Sequence, residues 1–126
     1  MDKKKARILV VDDEERTLRV VEDMLTPHGY EIIVARDGAE AVAAARSRQP
    51  DLILLDILMP KVDGYTACNT IKTDKKTNAI PVVMLTAVGY ELNKELAQSL
   101  KADGYLTKPF KLQDLLGVIR QFLPAS

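Results

Sequence analysis

Ile8-Leu9-Val10-Val11-Asp12-Asp13 is the stretch that decides the fold class. Branched apolar residues in unbroken succession leave no alternation between an inner and an outer face. That suits a strand covered on both sides, as in a parallel sheet. Two aspartates then end the run abruptly. The pattern recurs at Leu52-Ile53-Leu54-Leu55-Asp56 and at Val82-Val83-Met84-Leu85-Thr86. Ile32 to Val34 is a shorter run, and Tyr105-Leu106-Thr107, followed by Lys108, is a weaker fifth candidate.

The segments between these runs carry helical spacing. Leu18, Val21 and Leu25 share one face, as do Leu92, Leu96 and Leu100, and Leu112, Leu115, Leu116, Ile119 and Phe122 form a broad apolar stripe. Pro27 and Gly29 close the first helix, and Asp37 with Glu40 reads as a capping box for the second. Gln49-Pro50, Asp63-Gly64 and Ile80-Pro81 punctuate the remaining units. Five strand–helix pairs in strict alternation, with right-handed crossovers, predict one α/β domain over residues 1–126, its doubly wound parallel sheet covered by helices on both faces.

Composition bounds the function classes. Eighteen Lys and Arg balance eighteen Asp and Glu, so no global field exists to grip nucleic acid or an acidic membrane. One Cys excludes an internal disulfide, and one Cys with one His cannot form a structural zinc site. No apolar run approaches the length of a membrane span, and the early apolar run is too short for a signal peptide, so the expected location is cytoplasmic. The basic start, Lys3-Lys4-Lys5, reads as a solvated terminus.

In an open α/β sheet, ligands bind outside the carboxyl ends of the strands. The residues following the apolar runs are therefore the informative ones: Asp12 and Asp13, Asp56, Thr86, and Lys108. Asp13 alone would make a fair helix cap, but five polar residues at strand ends on one edge describe a site. Clustered carboxylates repel one another and call for a cation, and an all-oxygen donor set suits Mg²⁺ better than zinc or copper. Three carboxylates and one ammonium leave a charge of about −2, which one divalent ion neutralises. Such a site is prepared to receive a phosphoryl group. A carboxylate can attack phosphorus, metal and ammonium can hold the oxygens, and the threonine hydroxyl can donate to one of them.

With Val11-Asp12-Asp13, Leu55-Asp56-Ile57-Leu58-Met59-Pro60, Asp63-Gly64, Leu85-Thr86-Ala87 and Tyr105-Leu106-Thr107-Lys108-Pro109-Phe110 in this order, the chain resembles the receiver domain of two-component response regulators, from about Arg7 to Leu123. The resemblance implies a flavodoxin-like (βα)5 fold with strand order 2-1-3-4-5. It makes Asp56 the phosphoacceptor, charged by a histidine kinase or a histidine phosphotransfer protein. It gives Mg²⁺ to Asp13, Asp56 and the backbone carbonyl of Leu58, with Asp12 acting largely through water. Lys108, Thr86 and the backbone of Ala87 would hold the phosphoryl group, Thr86 and Tyr105 would form the switch, and Pro60, Gly64 and Pro109 would set loop geometry, with a cis bond before Pro109. The implied output is a remodelled face of the fourth helix, fifth strand and fifth helix, read by an output protein or output domain, with a phosphorylation-dependent dimer as one form it can take. No direct nucleic-acid or membrane contact is expected. A stand-alone regulator and one part of a longer protein both fit this span.

Several positions depart from the family's habits. Leu58 and Val88 are apolar where many members carry polar groups that orient the hydrolytic water, which predicts a long-lived phosphoryl group. Regulators with winged-helix DNA-binding domains usually carry an acidic residue before the switch aromatic and an arginine in the final helix; here stand Gly104 and Val118, although Asp114 and Arg120 fit. Gly117 within the final helix leaves room for a partner or is simply tolerated. Cys68 reads as core, His28 as a helix-end residue, and Lys72, Lys75 and Lys76 as a solvated helix end and loop. The rival functions fit less well. A haloacid-dehalogenase-type phosphatase needs a second Asp where Leu58 stands. A flavin carrier needs a Ser/Thr-rich phosphate loop where Asp12-Asp13-Glu14-Glu15 would repel a phosphate. A pseudo-receiver would have lost the acidic residues. A switch rather than an enzyme is expected.

Overall fold

Five parallel strands lie in the order β2-β1-β3-β4-β5 in the computed structural model, which describes residues 5–56, 64–87 and 102–123. In chain order the elements are β1 (Arg7–Val11), α1 (Glu15–Leu25), a 3-10 turn (Thr26–His28), β2 (Glu31–Ala35), α2 (Gly38–Arg48), β3 (Leu52–Asp56), α3 (Gly64–Thr73), β4 (Val82–Ala87), β5 (Gly104–Lys108) and a C-terminal helix (Leu112–Phe122). The doubly wound sheet with order 2-1-3-4-5 is thus the observed one. The helix expected on Leu92, Leu96 and Leu100, and the positions Leu58, Pro60, Asp63 and Val88, lie outside the described residues.

Unbroken apolar runs became the covered strands: every residue of β3 is buried, as are Ile8 to Val11 of β1. The outer strands β2 and β5 alternate in exposure, as edge strands with one freer side do. Successive side chains point to opposite faces, so the interior divides in two. On one side Leu9, Val11, Ile53, Leu55, Val82 and Met84 pack against the small residues of α2 and against Ala67, Cys68 and Ile71 of α3. On the other, Ile8, Val10, Leu52, Leu54, Val83 and Leu85 meet Leu18, Val21 and Leu25 of α1 and the stripe of the C-terminal helix. Each fully buried aliphatic side chain contributes about 1.5–3 kcal/mol.

The ladders run further than the apolar runs. Asp56 pairs with Leu85, Thr86 with Thr107, and Ala87 with Lys108. These polar residues belong to the strand ends rather than to the loops that follow, because ladder hydrogen bonds use the backbone whatever the side chain. Their orientation is therefore inherited from the pleat.

Local signals were partly met. The first helix ends before Pro27, and Gly29 takes a left-handed φ of 91° that favours glycine. Asp37 caps α2 by accepting from Glu40 N at 2.8 Å, but the return arm goes one residue early, Glu40 accepting from Arg36 N at 3.3 Å. Gln49 ends α2 at φ 47°, and its side-chain amide donates to the carbonyls of Ala45, Arg46 and Lys76. Gly64 is the buried first residue of α3. Cys68 is fully buried, and burial pushes its thiol up to about 11, so the core assignment holds. Lys72 corrects an expectation: it is not solvated. Its Nζ donates to Ile80 O at 2.9 Å and to Asp103 Oδ2 at 3.0 Å, with its side chain 9% exposed. Its long apolar stem is covered at the end of α3, and the ammonium reaches the amino end of the β4–β5 pair. Gly104 also has a physical reason. A Cβ there would lie 3.4 Å from the Phe122 ring, so a larger residue would press on the ring that joins β5 to the C-terminal helix. At Gly117 an added Cβ meets nothing, so nothing in the described fold requires glycine there.

Candidate phosphoacceptor site

Parity along the strands brings the acidic residues together. Asp12 continues the face of Ile8 and Val10, Asp56 that of Leu52 and Leu54, and Lys108 that of Leu106. All three leave the sheet at its carboxyl edge on the side of α1 and the C-terminal helix. Asp13 follows from the β1–α1 loop. Oxygen atoms of Asp12, Asp13 and Asp56 lie within 4.8 Å of one another. Asp12 is fully buried, Asp56 nearly so, and Asp13 is exposed, which leaves the cluster open to water on one side.

Lys108 ties the cluster together. Its Nζ lies 2.7 Å from Asp12 Oδ2 and 3.3 Å from Asp56 Oδ2. Burial works against the ammonium, but the hydrogen bond to Asp12 and the charges of Asp56 and Asp12 outweigh it, and the group is held charged above its ordinary range. The peptide bond from Lys108 to Pro109 is cis.

Asp12 is fixed from its other oxygen as well, since Oδ1 accepts from Glu14 N at 2.9 Å. This turn leads into α1, whose cap residue is Glu14 with no side-chain cap bond. Asp13 is thus not the cap that a local reading offered, and its carboxylate stays with the cluster. The donor set fits a hard cation: all oxygen, mixed in burial, and open on one side.

Thr86 sits at the same edge on the opposite parity, continuing Val82 and Met84. Its hydroxyl donates to Thr107 Oγ1 at 3.4 Å. Tyr105 lies two residues before Thr107 on the same face of β5 and is exposed. The structure therefore brings together Asp12, Asp13, Asp56 and Lys108, sets Thr86 beside them, and keeps Tyr105 at the surface. Thr107 was missed. Its only sequence signal was its place between the aromatic and the lysine, and its partner is 21 residues away. Beside the acidic edge, Thr17, Val20, Met24, Pro109 and Phe110 line an open groove that reaches Lys108. Among the described residues, no helix is long and apolar enough to cross a membrane.

Comparison with known proteins identifies the family. The family model described as the response regulator receiver domain matches residues 8–120. The chain is 43% identical over 117 residues to the DNA-binding dual master transcriptional regulator RpaA of Synechocystis sp., covering 93% of this chain and 48% of that protein. It spans about half the length of the curated relatives it matches. Among solved structures, the chemotaxis protein CheY4 of Vibrio cholerae superimposes with a TM-score of 0.87 at 30% identity, covering 94% of this chain and 98% of that one. The receiver domain of a sensor histidine kinase from Pseudomonas aeruginosa, with a magnesium ion coordinated in its active site cleft, gives a TM-score of 0.87 at 30% identity, covering 96% and 99%. This chain belongs to the family of response regulator receiver domains, the phosphorylation-dependent signalling switches of two-component systems.

Proposed function

We propose that Asp56 is the phosphoacceptor and that Asp12, Asp13 and Asp56, with the backbone carbonyl of Leu58, form the Mg²⁺ site. The observation that carries this is the cluster of three carboxylates within 4.8 Å, two of them, Asp12 and Asp56, bridged by the Lys108 ammonium. A carboxylate oxygen of Asp56 attacks the phosphorus of a phosphohistidine. The P–N bond breaks, the imidazole leaves with its electron pair and takes a proton, and an acyl phosphate forms on Asp56. Bound Mg²⁺ would neutralise charge on the phosphoryl oxygens. Lys108 turns from Asp56 to a phosphoryl oxygen while its bond to buried Asp12 keeps it in place. Thr86 Oγ1 and the backbone N–H of Ala87 donate to the remaining oxygens.

The donor is a histidine kinase or a histidine phosphotransfer protein, and the exposed Val20 in the groove beside Lys108 offers it apolar contact surface. The output is a change of Thr86 and Tyr105 that alters the β5 and C-terminal helix face, read by a partner or by another domain of a longer protein. Residues 1–126 act as one receiver unit in either case. Acetyl phosphate with Mg²⁺ and intact-mass detection tests the assignment. A phosphoryl-sized increase that disappears in Asp56→Asn is expected. No increase in the wild type, with no Mg²⁺ bound on titration, overturns it.

A further inference from the structure

Thr86 and Thr107 stand opposite each other across the β4–β5 ladder, with their hydroxyl oxygens 3.4 Å apart. The two residues are unequal: Thr86 is 7% exposed, whereas Thr107 is open to solvent. A threonine hydroxyl has one hydrogen to donate. With Thr86 as the donor of the pair, its hydrogen goes to Thr107 or to a phosphoryl oxygen on Asp56, but not to both. Thr107 can replace the lost bond with water at little cost. The bond also holds the Thr86 hydroxyl toward the face of β5 that carries the exposed ring of Tyr105.

We infer that Thr107 is a positioning residue of the switch: its hydroxyl restrains that of Thr86 against β5, and this bond must break before Thr86 reaches a phosphoryl group. The inference rests on the assignment of Asp56 as phosphoacceptor. A ligand shifts a two-state equilibrium only by its difference in affinity for the two states. The Thr86–Thr107 bond exists in one state alone, so it lowers the apparent affinity for any phosphoryl mimic. The residue at 107 thereby sets how readily the switch turns, without touching the phosphoryl group.

Titration of the full chain with beryllofluoride in excess Mg²⁺, followed by calorimetry, tests this. Thr107→Val removes the hydroxyl from an exposed strand position at constant shape, and should tighten binding by about twofold, the lower end of what one hydrogen bond contributes, because the bond is long at 3.4 Å. Thr107→Ser keeps the hydroxyl and should bind like the wild type. In a Thr86→Val background there is no hydroxyl to release, so adding Thr107→Val should change nothing. Unchanged or weaker binding by Thr107→Val overturns the inference, as does tightening that persists without the Thr86 hydroxyl. If the wild type binds no beryllofluoride at all, the Asp56 assignment fails and the restraint with it. Normal wild-type binding that is blind to residue 107 removes the restraint alone.

Discussion

The two ends of β5 each hold a lysine–aspartate pair of similar length. At the amino end, Lys72 Nζ meets Asp103 Oδ2 at 3.0 Å; at the carboxyl end, Lys108 Nζ meets Asp12 Oδ2 at 2.7 Å. The chemistry is the same and the balance is not. Lys72 also donates to Ile80 O, while Asp103 Oδ2 also accepts from Val82 N at 2.8 Å, so the pair is neutral and well bonded. It pins α3 to the start of β4. Lys108 faces Asp12, Asp56 and the neighbouring Asp13, one positive charge against three negative. A matched pair stabilises; an unmatched one leaves an attraction for a cation. Geometry alone would rank these two sites together, and the charge count separates them.

The largest effect that sharpens this contrast is chemical. Asp56→Asn should abolish phosphoryl uptake measured by intact mass, whereas Lys72→Met should leave uptake intact once the protein is folded. Next comes the structural cost at the amino end. Lys72→Met strips Asp103 of its cation and should lower unfolding stability in urea by about 1 kcal/mol, less than a buried pair would cost because the Asp103 carboxylate is one-third exposed, 33% against 9% for Lys72. A loss of stability near zero would mean that this pair is no clamp.

Lys108→Met should act in the opposite sense on the metal. Removing an ammonium that competes for Asp12 and repels a cation should tighten Mg²⁺ binding by about three- to tenfold in a titration followed by calorimetry. Weaker binding would show that Lys108 helps build the metal site rather than competing with it. The pH dependence has a definite sign. Because the folded state holds Lys108 charged above the ordinary lysine range, its stabilising contribution is complete below that range. It is lost as pH rises past about 10.5, so urea midpoints of wild type and Lys108→Met should move closer there. The smallest effect belongs to the exposed Glu15–Arg36 pair, bonded at 2.9 and 3.1 Å. Glu15→Gln should leave the urea midpoint unchanged within error, since solvated ion pairs contribute little.

What could be read in advance follows how local each signal is. Ile8-Leu9-Val10-Val11-Asp12 declares both a covered strand and its polar end within five residues, and the same holds for Leu52 to Asp56. Lys72 was misread because a lysine among other lysines at a helix end looks solvated. Its partners, the Ile80 carbonyl and the Asp103 carboxylate, lie 8 and 31 residues further on, outside any local pattern. Gln49 carries only a turn signal in the sequence for the same reason: its amide reaches Lys76 O 27 residues away. Asp13 offered two local readings, cap or site, and the turn from Glu14 N to Asp12 Oδ1 removed the first.

By itself, the sequence determined the covered parallel strands, the helices of the described chain, and the polar residues that end the strands, because hydrophobic periodicity and strand ends are short-range properties. Only the tertiary structure decided which charges neutralise one another. Asp12 and Lys108 are 96 residues apart, and the pleat and register of four strands set their separation. The same register opposes Thr86 to Thr107, a pairing that no local pattern specifies, because it depends on how β5 is placed against β4.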